Sequence, residues 1–357
     1  IGGVHATLEM KVLDKLPDID YSVLREGEEV MLSLVNNVPL KDIKGITYRD
    51  ENNKLINNGI APIIKDIDNL PYPERDKFYG LTDEEKTKVD VSYMVTIRGC
   101  PYQCTYCASP FHWDRKTTRL RSPESVIAEM KHLKKNYWNN VKKYDFAASA
   151  NSAPKDQLKI EDNTMVYFVD DVFTVNKKRV KIILRMMIKE KLNMKWKCEA
   201  RTDNLDNEIA ELLNEAGCVR VKLGFESGSD KILKQVKKLE TREEMLHGAR
   251  LLKDNKVSFS GYFMTGFPGE TDEDLQQTID FAKEVKANYY SLSVLAPYYG
   301  TELFNDLMAK GHALDKQPWE YFFHQSPELM VNNTISQGML KKFLQLNELN
   351  PKNNTYL

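Results

Sequence analysis

Three cysteines stand within eight positions, in the run Arg98-Gly99-Cys100-Pro101-Tyr102-Gln103-Cys104-Thr105-Tyr106-Cys107, with the spacing C-x3-C-x2-C. Soft thiolates select iron–sulfur clusters or zinc over hard cations. Three of them on one short loop hold three irons of a [4Fe–4S] cube and leave the fourth iron without a protein ligand. A structural zinc site wants four closed ligands, so Cys198, Cys218 or His112 would have to join the set. Cys198 and Cys218 read as small buried residues beside strands, and His112 as an ordinary loop histidine. Closed zinc sites also arrive as paired C-x2-C units rather than three cysteines in a row. The spacing therefore favours an iron–sulfur centre on Cys100, Cys104 and Cys107.

Further polar motifs recur downstream: Phe168-Val169-Asp170-Asp171, Glu199-Ala200-Arg201, Gly224-Phe225-Glu226-Ser227-Gly228-Ser229 and Gly266-Phe267-Pro268-Gly269-Glu270-Thr271. Each closes a short apolar run rich in Val, Phe, Tyr and Ile. The runs are Val91–Ile97, Met165–Val169, Trp196–Ala200, Val219–Phe225, Ser258–Met264 and Tyr289–Leu295, mostly uninterrupted, as strands covered on both faces should be. Between them lie helix-period segments. Ser122 is a good N-cap, with Pro123 at the first helical position and Glu124 favourable to the dipole, and Val126, Ile127, Met130 and Leu133 then form an apolar stripe. Helices are also expected over 177–191, 205–216 (stopped by Gly217), 242–255 and 272–286. The alternation predicts an α/β fold of six β/α units, a parallel barrel short of the eight strands that close one, and so open along one side. The cysteines and the polar motifs all fall at C-terminal strand ends, the face where β/α barrels build active sites.

Upstream, Gly45–Tyr48 and Lys54–Gly59 read as a hairpin around the turn Asp50-Glu51-Asn52-Asn53, and Leu70-Pro71-Tyr72-Pro73 as an extended linker. The polar stretch 139–163 reads as a surface insertion. Trp319, Tyr321, Phe322 and Phe323 are expected to pack over the barrel.

Composition restricts the partners. The formal net charge is −1, with 51 basic against 52 acidic residues, which offers no global field for nucleic acid or an anionic membrane. No apolar run approaches the ~20 residues of a membrane helix, and nothing resembles a signal peptide. Five cysteines, three of them bunched, suit a metal site in a reducing cytoplasm better than a disulfide framework. An opening at Ile1 without methionine, followed by Gly2-Gly3, reads as the tail of a larger protein.

The cysteine loop and the strand-end motifs together resemble the radical S-adenosylmethionine (radical SAM) superfamily. The resemblance implies that the open iron chelates the amino and carboxylate groups of SAM, and that a reduced cluster cleaves it to a 5′-deoxyadenosyl radical. It implies that the backbone of Tyr106 contacts adenine and that Asp170 or Asp171 binds the SAM amino group. It further implies that Arg201 pairs with the SAM carboxylate, that Glu226 accepts hydrogen bonds from the ribose hydroxyls, and that the turn at Gly266 lets backbone approach the adenosine. The Phe-Val-Asp-Asp run departs from the commoner Gly-Gly-Glu of the family.

The N-terminal part is similar to a narrower group, the cobalamin-binding radical SAM proteins of the methyltransferase and anaerobic magnesium-protoporphyrin ester cyclase type. Gly2-Gly3-Val4-His5-Ala6-Thr7 resembles the last strand and loop of their Rossmann-like cobalamin domain, where Gly2 and Gly3 would let the cobalamin nucleotide tail lie on bare backbone. The Asp-x-His-x-x-Gly loop that would ligate cobalt is not in this chain. The implied organisation is a cobalamin-domain remnant and hairpin over 1–60, a linker over 61–90, a partial (β/α)6 barrel over 91–310 and a C-terminal extension over 311–357. The implied activity is methyl transfer or oxidative cyclisation of a small-molecule substrate, with electrons from a low-potential donor such as flavodoxin or ferredoxin. A radical SAM enzyme that never binds cobalamin is the first rival. A non-catalytic iron–sulfur carrier or sensor is the second. No second set of three cysteines is present for a methylthiotransferase.

Overall fold

The computed structural model describes residues 1–9, 12–75, 93–113, 117–136, 165–323 and 328–350. The chain divides into two compact units that interleave in sequence. The smaller takes residues 1–67, 99–119 and 296–323, and the larger takes 68–98, 120–295 and 324–357.

In the smaller unit, Ile1 accepts the N–H of Val23 at 2.8 Å, and the chain then turns through Gly2-Gly3 into helix α1 (Gly3–Leu8). The expected strand is thus a single paired residue, and Val4 to Thr7 are helical. Strands β1 (Tyr21–Val23), β2 (Ile46–Arg49) and β3 (Leu55–Asn57) form an antiparallel sheet. The expected hairpin is β2–β3; β1, three residues long, carries too little pattern to be seen. Helix α2 (Glu28–Val35) sets Val30 into the same small core as Val23, Ile43 and Ile46.

The larger unit is built on six parallel strands: β4 (Tyr93–Met94), β5 (Met165–Phe168), β6 (Lys195–Ala200), β7 (Cys218–Glu226), β8 (Phe259–Thr265) and β9 (Tyr289–Val294). They stand side by side in sequence order, as expected of consecutive β/α units. Helices α4 (Pro123–Asn136), α5 (Lys177–Lys189), α6 (Asn207–Glu215), α8 (Arg242–Asp254) and α9 (Asp272–Val285) follow strands or strand-end turns. The short helix α7 (Asp230–Gln235) joins this series, whereas the short helix α3 (Ser109–His112) lies in the smaller unit. Side chains reach the starts of these helices as N-caps should: Asn176 caps α5, Asp206 caps α6, Ser229 caps α7, and Thr241 and Thr271 head capping boxes on α8 and α9. Alternate strand residues such as Trp196, Cys198, Val221, Leu223, Phe225 and Phe259 join the helices' apolar faces in one core.

The structure corrects several expectations. The first strand does not run unbroken to Ile97; Val95 and Thr96 separate β4 from the short strand Ile97–Arg98. The backbone N–H groups of Thr96 and Ile97 donate to the Asp170 carboxylate, which takes them out of sheet pairing. Trp319 and Phe322 pack within the smaller unit, the Trp319 ring 4.8 Å from that of His5 and the Phe322 ring 4.8 Å from that of Tyr299, while Phe323 is exposed. Helix α10 (Glu302–Ala309) precedes them, and only the segment after 327, with helix α11 (Gln337–Leu344), covers the β8–α9 end of the larger unit. The expected insertion 139–163 and most of the linker 76–90 lie outside the described residues. Among the described residues, no helix is long and apolar enough to cross a membrane.

Candidate functional site

In the larger unit, β5 hands over to Val169-Asp170-Asp171. Asp170 is 1% exposed. Its Oδ1 accepts the N–H groups of Thr96 and Ile97 at 2.6 and 2.9 Å, and its Oδ2 accepts the Thr96 hydroxyl at 2.5 Å. Burial pushes this carboxyl up to about 6 while those hydrogen bonds and the Arg179 charge pull the other way. Asp170 is therefore a joint between neighbouring strands. Asp171 beside it is exposed at the strand end. The helix that follows is capped by neither aspartate but by Asn176.

Arg201, after β6, is 4% exposed and already engaged. Its Nε and Nη2 grip Asp203 at 3.1 and 2.9 Å, Nη2 donates to the Lys238 carbonyl at 2.9 Å, and Glu240 lies 3.2 Å away. The buried Lys238 ammonium is 3.5 Å from both Glu240 and Glu226. Arg201 and Glu226 thus belong to one charged network through Lys238 and Glu240, two residues that the motifs at 199–201 and 224–229 did not reveal. Lys238 and Glu240 sit in a plain Lys-Lys-Leu-Glu run, where sequence offers no signal.

Glu226 ends β7 with a left-handed backbone, φ 63°, a conformation that costs a non-glycine residue energy. Its carboxylate folds back over Gly224, where any Cβ would collide with Oε1. Gly266, after β8, adopts φ 93° in van der Waals contact with Val294 and Leu295, and its N–H donates to Glu270 Oε2 at 2.7 Å. Glu270 is wholly buried and also accepts from Phe267 N–H and the Thr265 hydroxyl, each at 3.2 Å. From the C-terminal segment, Asn332 Nδ2 donates to the carbonyls of Phe267 and Glu270 at 2.6 and 2.8 Å. The Gly-Phe-Pro-Gly turn is held from beneath and behind.

Burial pushes the Glu270 carboxyl up to about 7, against the hydrogen bonds that favour its charge. The folded state then holds this proton more tightly than the unfolded chain, so Glu270 costs stability as pH rises from its ordinary value near 4.5 through about 7. Glu270→Gln is expected to flatten the fall in melting temperature between pH 5 and pH 7.5, removing about 3 kcal/mol of pH dependence. Parallel slopes for the two proteins would refute this.

The cysteine loop belongs to the smaller unit. Gly99 enters it at φ 102°, and a Cβ there would run into the Thr117 carbonyl, so Gly99→Ala is expected to lower both melting temperature and iron content sharply. Cys107 N–H donates to the Cys104 carbonyl at 3.1 Å, and the Thr105 carbonyl accepts Leu303 N–H at 2.9 Å, which ties the loop to α10. Cys104 is buried, Cys100 and Cys107 are half-buried, and Tyr106 is half-buried between them in sequence. Beyond the loop, Arg119 Nη1 donates to both oxygens of Glu26 at 2.8 and 2.7 Å and to the Ile64 carbonyl at 2.6 Å. Among the described residues, no three His, Cys, Asp or Glu side chains converge as one metal ion would require. A tetrahedral zinc thiolate site brings its sulfurs to about 3.8 Å, given Zn–S bonds of about 2.3 Å. A cubane instead takes each thiolate to a different iron, and three soft donors on one anchored loop suit it.

Gly2 and Gly3 border a separate cavity of about 620 Å³ in the smaller unit, lined also by Tyr21, Arg25, Met31 and Val35.

Residues 155–282 match the family model described as the Radical SAM superfamily. The chain is 29% identical over 349 residues to an uncharacterized methyltransferase of Pyrococcus horikoshii, covering 96% of this chain and 69% of the relative. It is 27% identical over 336 residues to the anaerobic magnesium-protoporphyrin IX monomethyl ester cyclase of Rubrivivax gelatinosus, covering 90% of this chain but 55% of that enzyme. The fold is similar to that of the radical SAM methyltransferase TsrM of Kitasatospora setae, with a TM-score of 0.67 at 17% identity over 87% of this chain and 59% of that one.

Proposed function

Because this chain belongs to the radical SAM superfamily, we propose that Cys100, Cys104 and Cys107 hold a [4Fe–4S] cluster at which SAM is reductively cleaved. When bound, the cluster supplies one electron to the SAM sulfonium, giving methionine and a 5′-deoxyadenosyl radical. The observation that carries the reading is the alignment of Asp171, Glu226 and Gly266 at the C-terminal ends of β5, β7 and β8 in one parallel sheet. Asp171 receives the SAM amino group, Glu226 the ribose hydroxyls, and the left-handed turn at Gly266 the adenosine, with Tyr106 offering its main chain to adenine. Asp170 and Arg201 act by positioning: one joins strands, and the other holds the Lys238–Glu240 pair beside Glu226.

The test is anaerobic reconstitution and chemical reduction of the chain with SAM, followed by chromatography for 5′-deoxyadenosine and methionine. Product formation is expected even without substrate. An intact cluster whose paramagnetic spectrum ignores SAM would instead favour an electron carrier or sensor. Flavodoxin or ferredoxin is the proposed physiological donor.

The reaction class we propose is methyl transfer or oxidative cyclisation linked to cobalamin. The names of the methyltransferase and cyclase relatives support it, as does the cavity beside Gly2-Gly3 as space for a nucleotide tail. The chain spans about half the length of the cyclases it matches. The test is to supply cobalamin to the protein during expression: about one corrinoid retained per chain after desalting supports this reading. Protein that cleaves SAM but retains none would leave a cobalamin-independent enzyme.

A further inference from the structure

The face of the parallel sheet turned away from the helices is charged. Barrel interiors are ordinarily packed with branched apolar side chains, yet the residues alternating with Trp196, Cys198, Val221 and Leu223 are Lys197, Glu199, Arg220 and Lys222. Strand register sets Tyr167, Lys197 and Arg220 in one row, and Glu199, Lys222, Ser260 and Tyr289 in the next. For Arg220 and Lys222 these two rows offer a single carboxylate, Glu199.

That carboxylate is taken. Glu199 accepts the Tyr167 hydroxyl, which in turn accepts a hydrogen bond from Lys222 Nζ at 2.7 Å, with Lys222 and Glu199 3.9 Å apart. Lys222 also lies 4.3 Å from the centre of the Tyr167 ring. Desolvation lowers the Lys222 pKa, so the ammonium is held where water solvates it incompletely. Arg220 has less still. It is half-buried with its guanidinium 3.7 Å from the centre of the Tyr289 ring, and no carboxylate among the described residues comes within ion-pair distance. A guanidinium held over an aromatic face keeps N–H donors that can bind an oxyanion in bidentate fashion. A half-buried arginine that meets no carboxylate among the described residues, beside a partly desolvated lysine, is costly to keep for stability alone.

We propose that this face binds an oxyanion of the substrate, a carboxylate or phosphate attached to a planar or aromatic body, with Arg220 and Lys222 as its ligands and Tyr167 and Tyr289 as its walls. The proposal rests on the radical SAM reading above for the existence of a substrate, and it names that substrate's charge and shape.

The test uses the full chain with its cluster reconstituted, titrated at low salt with phenyl phosphate, benzoate and neutral benzamide by ligand-observed NMR. One of the two anions is expected to bind, and which one does so identifies the oxyanion. Arg220→Gln and Lys222→Gln should each weaken that binding about tenfold or more, Arg220→Lys should retain part of it, and benzamide should not bind measurably. Unchanged melting temperatures separate lost recognition from lost folding. Benzamide binding as tightly as the anions, unchanged affinity in the glutamine variants, or no anion binding at 10 mM (about tenfold above the upper end of ordinary substrate KM values) would overturn the proposal. SAM cleavage is measured on the same samples: anion binding without cleavage would defeat the catalytic reading and leave this site standing.

Discussion

Cys104→Ala is expected to abolish the iron–sulfur chromophore and bring reconstituted iron from about four atoms per chain to near zero. SAM cleavage should fall to background with it. Cys104 is the buried member of the three and lies in the turn whose backbone closes onto Cys107, so its loss removes a donor and the middle of the loop together. Cys198 and Cys218 provide the control. They are buried in the larger unit among the core residues of β6 and β7, and burial pushes the Cys198 thiol up, which disfavours the thiolate that iron requires. Cys198→Ala and Cys218→Ala are expected to keep full iron at somewhat lower stability. Loss of the cluster in either would refute the assignment of ligands.

Breaking the Glu26–Arg119 pair should have the largest effect on folding. Both side chains are about 6% exposed, and removing one member of a buried pair leaves an uncompensated charge, at a cost of about 3–5 kcal/mol. Glu26→Ala also strips the acceptor from Ile64 N–H, so it is expected to fall at the upper end in denaturant unfolding. Because Arg119 closes the segment carrying the cysteines, iron retention should drop as well. Replacing both partners with apolar residues, Glu26→Leu with Arg119→Met, is expected to recover much of the stability, since no buried charge is then left alone. Equal loss in the single and double variants would show that the pair's charges contribute little.

The six parallel strands were legible because each is a short, mostly apolar run bounded by a polar or glycine motif, and five helices because their caps and stripes agree. The failures have specific physical origins. Nothing local to Val91–Ile97 announces the break at Val95-Thr96, since the acceptor that draws off two backbone donors is Asp170, more than seventy residues away. The same contact buries Asp170 and leaves Asp171 exposed, a difference the sequence does not carry. Asp203 and Glu240 likewise become partners of Arg201 only when the chain folds. The aromatic residues near 319 announce burial but not which unit they bury against. The interleaving of the units leaves no local trace at all.

That interleaving sets an order of events for the chain as it is made. Contacts between residues far apart in sequence are costly to form early, because the intervening loop must be closed first. The cysteine loop leaves the ribosome before most of the parallel sheet, yet its backbone anchor at Leu303 emerges nearly two hundred residues later. The strands β5 to β9 can pair successively with their neighbours during this interval, whereas the smaller unit waits for its third segment. The cysteine loop therefore lacks this anchor until residue 303 has been made. A chain halted before residue 303 is expected to emerge with its sheet begun and its cysteines retaining little iron.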